Sequence, residues 1–335
     1  MKRVPRGYVL PSAAFTLQAK HVHSYVPWDQ KPMIGDVLYG RVERIGAHRE
    51  LENKNGRIHR ITDGSMAVFV LGSRYATDAY ESVIPNETSR SLDLVARSGV
   101  VGEVRVRNSR FGDPTTVRIL GRVVDRSGNP VNTLNHPLIE PKSEKKKTPR
   151  AKLILVVGTS MNSGKSTAAV ACCWALTTMG HEVRSSKVTG TASLKDILHM
   201  NDAGAKVYDD FSYLGYPSTY LLSEEQLLDI FNGLDLRYAN NPKNYWIVEL
   251  ADGILQRETA MLLSHPDVTG RLDKLIFGAL GGLRILRDTY GLEPNAISGL
   301  VSGSPLGIRE LSEHTAVPVF DSAEPNLTQL ASILM

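Results

Sequence analysis

The chain has 335 residues, of which 42% are hydrophobic and 22% charged, with a formal net charge of +4. This composition excludes a fully disordered or collagen-like chain, and the length corresponds to two domains at roughly 150 residues each. No run approaches the ~20 apolar residues of a transmembrane helix, and the two cysteines, Cys172 and Cys173, are adjacent, so we expect a cytoplasmic protein without membrane contact or a disulfide framework.

The charge is divided unevenly along the chain. Residues 1–152 contain 26 Lys and Arg against 15 Asp and Glu, a net charge of +11, whereas residues 153–335 contain 13 against 20, a net charge of −7. Arginines recur on predicted strands of the basic half, and a basic half suggests contact with nucleic acid. The alternative is that it attracts the acidic half, another copy of the chain in a homo-oligomer, or a partner protein.

Residues 1–140 are predicted to form a small all-β, barrel-like, basic domain. Their apolar residues come in short, partly alternating runs, at 37–42, 66–71 and 117–124, separated by turn-forming clusters such as Asn55-Gly56. The segment 121–132 resembles the strand and turn that leave the N-terminal β-barrel of rotary ATP synthase subunits and related ATPases. This resemblance favours a barrel over a sandwich.

Residues 141–152 are predicted to be a basic linker, because they contain two prolines and a run of three lysines. From residue 153 onward, strand and helix patterns alternate. The predicted strands are at 153–157, 182–187, 245–250, 272–278, 296–301 and 317–320, and the predicted helices at 165–179, 194–203, 223–234, 255–264, 280–290, 306–313 and 324–334. This alternation predicts an α/β domain over 153–335, with a doubly wound, mostly parallel sheet that binds ligands beyond the carboxyl ends of its strands.

The strongest functional signal follows the first of these strands, where the chain reads Gly-Thr-Ser-Met-Asn-Ser-Gly-Lys-Ser-Thr from residue 158 to residue 167. In such a P-loop, glycines let backbone amides wrap the phosphates of a nucleotide, and the following helix N-terminus attracts negative charge. Lys165 is expected to reach the β- and γ-phosphates, and the Ser166 hydroxyl to ligate Mg²⁺. The predicted nucleotide contacts in this loop are Gly158, Thr159, Asn162, Ser163, Gly164, Lys165, Ser166 and Thr167.

Five residues separate the two glycines, instead of the usual four, and in this the loop resembles dethiobiotin synthetase and the cobyric-acid-type amidotransferase-ligases. These belong to the SIMIBI class of P-loop proteins, with the signal-recognition GTPases. The runs 186–193 and 246–253 resemble two further motifs of the synthetase. Lys195-Asp196, followed by residues 202–205, resembles the molybdopterin-guanine-dinucleotide accessory GTP-binding protein.

The resemblance implies roles for further residues. Lys187 would contact phosphate and substrate, and Asp196 and Glu249 would hold Mg²⁺ together with the P-loop serine. A carboxylate that ends an apolar strand is costly to bury unless it is paired or metal-bound, which supports Glu249, whereas Asp196 is alternatively a helix cap. Asp252 is a candidate to orient a water molecule or the groups that surround the metal ligands. The predicted catalytic residues are Lys165, Lys187, Glu249 and Asp252.

Ser302 lies where relatives place a base-recognising pair, and either a base contact or a plain turn explains it, so ATP and GTP are both open. One candidate function is a Mg²⁺-dependent NTPase whose hydrolysis regulates a partner or nucleic-acid contact of the basic domain. The other is an ATP-dependent ligase that activates a carboxylate or carbamate of a small molecule. The residues after Glu249 depart from the glycine-rich run of the synthetase, so the resemblance extends to the phosphate and metal site but not to the substrate.

Overall fold

The structure, a computed structural model, describes residues 1–5, 7–139, 150–238, 241–279 and 281–335. The chain divides into two compact units. The first comprises Met1–Glu140, Gly190–Lys195 and Phe211–Leu221, and the second comprises Pro141–Thr189, Asp196–Asp210 and Leu222–Met335. Two short segments from the second half of the sequence therefore belong to the first unit, which the strand and helix patterns do not predict.

The N-terminal part of the first unit is built from short strands. They are β1 Lys2–Arg3, β2 Ser24–Val26, β3 Val37–Arg44, β4 Glu50–Glu52, β5 Ile58–Arg60, β6 Met66–Leu71, β7 Arg74–Tyr75, β8 Tyr80–Val83, β9 Ser91–Leu94, β10 Val100–Arg107 and β11 Thr115–Val124. Single turns of 3-10 helix lie at Ser12–Ala14, Ala19–His21 and Thr133–Asn135. Gly and Asn-rich turns between these strands keep each of them short.

Five strands form a closed ring of pairings. β11 is antiparallel to β3, β3 is antiparallel to β6, and β6 is parallel to β10. β9 then joins β10 to β11 and is antiparallel to both. Pairing that returns to its starting strand is what a barrel requires, so it agrees with the predicted all-β, barrel-like domain. β1 and β2 extend the sheet beyond β11, β7 and β8 extend it beyond β10, and β4 and β5 form a separate hairpin.

Apolar side chains of the ring strands fill its interior. The buried set includes Leu38, Val42, Phe69, Leu71, Leu92, Leu94, Val101 and Val117. Burying each such side chain stabilises the fold by about 1.5–3 kcal/mol.

The first unit also contains a buried polar cluster, in which fully buried Asp36 accepts hydrogen bonds from Arg122 at 2.7 Å and from Asn132 at 3.0 Å. Burial raises the pKa of Asp36, and these two partners oppose the shift.

The two additional segments of the first unit pair with each other and with the strands. The amide of Ala192 donates to the carbonyl of Pro217, and the amide of Leu194 donates to the buried carboxylate of Glu52 at 2.9 Å. The hydroxyl of Tyr220 donates to Glu81 on β8 at 2.7 Å. These contacts explain why residues 190–195 and 211–221 group with the strands of residues 1–139.

The second unit contains a six-stranded parallel sheet with the order β14-β13-β15-β12-β16-β17. Its strands are β12 Lys152–Gly158, β13 Val183–Lys187, β14 Val207–Asp210, β15 Tyr245–Glu249, β16 Leu272–Gly278 and β17 Ala296–Ile297. The helices of this half of the chain are α1 Lys165–Thr178, α2 Leu194–Asp202, α3 Glu224–Tyr238, α4 Arg257–Ser264, α5 Pro266–Thr269, α6 Leu283–Tyr290, α7 Pro305–His314 and α8 Leu327–Leu334. The first two residues of α2, Leu194 and Lys195, are grouped with the first unit. With this strand order, the general rule that parallel crossovers are right-handed predicts α1 and α2 on one face and α3 to α6 on the other, as in a doubly wound sheet.

Several element boundaries differ from those predicted. The run 296–301 forms a strand only at Ala296–Ile297 and then a 3-10 turn, Leu300–Ser302, because Gly299 has a φ of 113° that ends the extended backbone. The run 317–320 contributes a single bridge, from Val319 to Ile297. β14 was not predicted. Among the described residues, no helix is both long and apolar enough to cross a membrane.

The end of the predicted linker belongs to the fold. Residues 141–149 lie outside the described residues, but Arg150 forms an ion pair with buried Asp235 and Ala151 is fully buried. Arg271 also pairs with Asp235, at 3.0 Å. Lys152 already begins β12, so residues 150–152 are structural residues of the second unit and not a solvated linker.

Candidate functional site

The P-loop begins at the carboxyl end of the central strand β12. This strand lies between β15 and β16, with Val156 paired to Glu249 and Gly158 paired to Gly278. Parallel strands direct their carboxyl ends to the same edge of the sheet, so the residues that follow them converge there. Glu249, the last residue of β15, is therefore brought next to the P-loop, as predicted from its position at the end of an apolar run.

The loop itself has a conformation that needs glycine at its end. Gly164 has a φ of 95°, and a Cβ at this position would lie 2.5 Å from the Cα of Gly299. The amide of Leu300 donates to the carbonyl of Ser163 at 3.2 Å and fixes this approach. Gly299 was not among the predicted site residues, although a glycine within a predicted strand run is a sequence signal for a close backbone contact.

Several consecutive backbone amides have no described hydrogen-bond acceptor where the loop enters helix α1. Within the part of the chain that the structure describes, the amides of Ser163, Gly164, Lys165 and Ser166 donate no hydrogen bond. The first amides of a helix lack partners inside the helix, and the helix dipole adds partial positive charge at this end. This arrangement favours an anion with several acceptor oxygens, such as a phosphate group.

Lys165 lies directly behind these amides. Its side chain is buried, and its ammonium group donates to the carbonyl of Ser160 at 2.7 Å, so the lysine folds back over the loop. Burial lowers the pKa of Lys165, while the negative charges of Glu249 and Asp252 act in the opposite direction. An additional anion beside this ammonium group would favour its charged form.

Ser166 and Glu249 are in direct contact. The Ser166 hydroxyl donates to Oε1 of Glu249 at 3.0 Å. Oε2 of Glu249 is buried and accepts no hydrogen bond from any described residue. Burial raises the pKa of Glu249, although the positive charge of Lys187 opposes the shift. A buried carboxylate oxygen without a partner is costly, and a bound cation would compensate it.

This pair fits Mg²⁺. Hydroxyl and carboxylate oxygens are ligands that Mg²⁺ prefers, and the ion usually takes one or two carboxylates, phosphate oxygens and water. In the described ranges, no group of three or more His, Cys, Asp and Glu side chains is arranged to hold a metal. The hydroxyl of Ser166 and the carboxylate of Glu249 are therefore oxygen donors of the kind that a magnesium site uses, and the magnesium role stays a prediction.

Lys187 connects the two predicted metal carboxylates. Its ammonium group forms an ion pair with Asp196 near the start of α2, and it lies 3.9 Å from Oε1 of Glu249. Burial by itself lowers the pKa of Lys187, but the negative charges of Asp196 and Glu249 outweigh burial, and the pKa is raised. Lys187 is therefore a fixed positive charge at the end of β13, and Asp196 positions it.

The segment after Glu249 is held against the sheet and the P-loop. The Thr189 hydroxyl donates to the carbonyl of Ala251 at 2.6 Å, and the Thr259 hydroxyl donates to the same oxygen at 2.5 Å. The amide of Ile254 donates to the carbonyl of Gly158 at 2.9 Å. Sequence reasoning gave no role to Thr189 and Thr259, which fix the backbone beside Asp252.

The remaining predicted contacts occupy different environments. Thr159 is partly buried, with Gly253 packed closely against its carbonyl, whereas Asn162, with a φ of 60°, and Thr167 are exposed. Ser302 is fully buried, and its hydroxyl contacts the carbonyls of Gly299 at 3.1 Å and Phe320 at 2.8 Å. These contacts fit the plain turn better than the base contact, which stays a prediction.

No protein-family model matches the chain, and no curated protein matches it. Among solved structures, the chain is similar to two structures of the signal recognition particle receptor FtsY from Elizabethkingia anophelis. The first is 15% identical, with a TM-score of 0.35 over 58% of this chain and 68% of that chain. The second, in complex with GDP, is 13% identical, with a TM-score of 0.37 over 60% and 68%. These scores are too low to define a family, and the resemblance to dethiobiotin synthetase stays a prediction from the motifs.

Proposed function

We propose that this chain is a Mg²⁺-dependent nucleoside triphosphate hydrolase whose P-loop, residues 158–167, binds the phosphates of ATP or GTP. The observation that carries the proposal is the contact between Ser166 and Glu249, directly beside the amides at the start of α1. Amide donors match phosphate oxygens, and a buried carboxylate next to a hydroxyl matches the cation that accompanies them.

Two lysines neutralise phosphate charge in this proposal. Lys165 exchanges its contact with the Ser160 carbonyl for phosphate oxygens when nucleotide binds. Lys187, held by Asp196, supplies a second fixed positive charge. Because both ammonium groups are buried, they stabilise developing negative charge more strongly than groups in water do.

Mg²⁺ bound with the nucleotide supplies further positive charge to the phosphate oxygens. Ser166 and Glu249 are the residues that hold it, and Asp196 is a third candidate, acting through water molecules. Asp252 follows β15 by three residues and is the candidate to orient the attacking water, because Thr189 and Thr259 fix the backbone next to it.

The ligase alternative receives no comparable support from the described contacts. Leu250, Ala251 and Ile254 occupy the run that is glycine-rich in dethiobiotin synthetase, and the Ile254 amide bonds to the P-loop at Gly158. This segment therefore packs on the P-loop itself. Hydrolysis needs only water as the second substrate, and for this reason we prefer it.

The first unit is proposed to contact the partner that hydrolysis regulates. Its strand arginines, which suggested nucleic acid, lie beside carboxylates: the pairs are Arg105–Glu103 at 3.0 Å, Arg107–Asp113 at 3.5 Å, Arg118–Glu43 at 3.8 Å and Arg122–Asp36 at 2.7 Å. Their charges are already compensated in part. A partner protein or a second copy of the chain is therefore favoured over nucleic acid as the contact of these strands.

The hydrolase proposal is tested by phosphate release from ATP and from GTP, measured with the full chain in Mg²⁺ and in excess chelator. We expect release that needs Mg²⁺ and prefers one of the two nucleotides. If both nucleotides bind in Mg²⁺ and neither is hydrolysed, the site is a binding switch and the hydrolase proposal is wrong.

A further inference from the structure

A cavity of about 630 Å³ lies in the first unit, lined by the N-terminal segment, the β4–β5 hairpin and the turn after β11. Four cationic side chains and two histidines line it, and they come from separate parts of the chain. They are Arg3, Lys20, His23, Lys54, His59 and Arg126. The fold therefore collects positive charge from distant positions in one concave space.

None of the described residues that line this cavity is acidic. The carboxylate of Asp125, next to Arg126, accepts hydrogen bonds from the amides of Ser127 at 2.8 Å and Asn129 at 2.9 Å, within its own turn. Arg3, Lys20 and Arg126 form no ion pair with any residue that the structure describes. These positive charges contrast with the arginines on strands β10 and β11, which have carboxylate neighbours.

The walls of the cavity are fixed by hydrogen bonds. The amide of Val4 donates to the carbonyl of His23 at 3.1 Å, and the amide of Lys54 donates to the carbonyl of Leu10 at 3.0 Å. On the hairpin, the side chain of Asn53 bonds to Nε2 of His59 at 3.0 Å. A site that is formed before its ligand arrives loses little binding free energy to ordering.

We propose that this cavity binds a small molecule that carries phosphate groups, at a site separate from the P-loop. Its volume is within the range of small-molecule sites. Arginine and lysine are the side chains that recognise phosphate oxygens, and a concave surface with one sign of charge concentrates the field on a ligand. The inference goes beyond nucleotide hydrolysis, since it gives the basic unit a ligand of its own.

A nucleic-acid backbone is another source of phosphate, but the placement of the charges favours a free small molecule. Surfaces that bind nucleic acid spread their cations along a groove or a stripe that follows the backbone. Here Arg3, Lys20, Lys54 and Arg126 surround a single cavity. A compact ligand with two or more negative charges can contact several of them at once.

The test is isothermal titration of inorganic pyrophosphate into the full chain carrying Lys165→Ala, which weakens the P-loop. We expect saturable binding that becomes about tenfold weaker with either Lys20→Ala or Arg126→Ala added, the scale of one lost charged contact. Both side chains are exposed and make no described structural bond, so the variants should fold. Lys31→Ala is the matched control, because Lys31 is exposed and does not line the cavity.

Absence of pyrophosphate binding, or equal binding by the Lys20, Arg126 and Lys31 variants, would overturn the proposal. The proposal is also wrong if pyrophosphate does not bind but a single-stranded oligonucleotide does, and Lys20→Ala and Arg126→Ala weaken that binding. Failure of the P-loop to bind phosphate appears separately. In that case the cavity variants weaken pyrophosphate binding to the same degree whether Lys165 is intact or replaced, whereas failure of hydrolysis alone is seen in the phosphate-release assay.

Discussion

The hydroxyl of Ser166 donates a 3.0 Å hydrogen bond to Oε1 of Glu249, 83 residues further along the chain. The bond joins the first turn of α1 to the end of β15, the neighbour of the strand that leads into the P-loop. The other carboxylate oxygen of Glu249 has no described partner. A substitution of Glu249 is therefore the clearest way to distinguish a role in metal binding from a role in packing.

Glu249→Gln should retain nucleotide binding and lower turnover by about two or more orders of magnitude, the scale of losing a main electrostatic contributor. The amide keeps an oxygen for Ser166 but removes the negative charge. Steady-state hydrolysis and calorimetric titration measure the two effects. Glu310→Gln, on an exposed position of α7, is the control. An unchanged rate would transfer the role to Asp252.

Lys165→Ala should abolish high-affinity binding of ATP and GTP, because it removes the buried ammonium group next to the first amides of α1. The fold should survive, since the one hydrogen bond of this ammonium group to a described residue goes to the loop carbonyl of Ser160. Calorimetric titration together with a thermal melt checks both statements. Lys243→Ala, at an exposed position, provides the control. If the variant binds ATP and GTP as tightly as the parent does, the P-loop is not the phosphate site.

Asp196→Asn should raise the Mg²⁺ concentration needed for half-maximal turnover several-fold. Without the Asp196 charge, Glu249 becomes the main partner of Lys187, and an ion pair there competes with the cation. The measurement is a magnesium titration of the hydrolysis rate. Asp202→Asn is the matched control, because Asp202 lies exposed on the same helix. If both variants need the same Mg²⁺ as the parent, Asp196 is only a structural residue.

His48 should make the chain sensitive to acid. Burial, followed by the charges of Arg74 and Arg97, lowers the pKa of His48 to about 3, so this ring stays neutral in the folded state while the unfolded chain takes up a proton below about pH 6.5. Stability is therefore lost as pH falls from about 6.5 towards 3, at up to about 1.4 kcal/mol per pH unit. Urea unfolding between pH 7 and 4 should show a shallower pH dependence for His48→Gln. An identical dependence would assign the sensitivity to other groups.

Binding of the intact chain to duplex DNA should depend only weakly on salt. Since the four strand arginines have carboxylate neighbours, we expect a log–log slope shallower than the about −3.6 that four phosphate contacts give. Fluorescence anisotropy at about 50 and 200 mM salt measures it. A steeper slope would restore nucleic acid as the main partner of the basic strands.

The centre of the parallel sheet and the P-loop could be predicted because their signals are local. Buried parallel strands read as continuous apolar runs, and a loop that binds phosphate needs Gly164, Lys165 and Ser166 at fixed spacing. The placement of Glu249 beside Ser166 followed from its position at the end of such a run. Its approach to the P-loop follows from the pairing of parallel strands, whose carboxyl ends lie at the same edge of the sheet.

Elements that depend on distant partners could not be predicted. β14 contains Asp209 and Asp210 and reads as a loop, but buried Asp209 accepts a 2.8 Å hydrogen bond from Ser186 on β13. The ion pair of Lys187 with Asp196 depends equally on tertiary structure. The residues next to Lys187 and Asp196 in the sequence do not indicate that these two side chains pair.

The division of the first unit into three separate stretches of chain bears on its synthesis. Its last segment ends at Leu221 of a 335-residue chain, and the two late segments bond to Glu52 and Glu81 of the strand-rich part. A ribosome must therefore translate as far as Leu221 before the first unit has all its parts. Domains that are continuous in sequence can fold one after another as they emerge, whereas this unit must wait in an incomplete state, with the buried carboxylate of Glu52 not yet paired with the Leu194 amide.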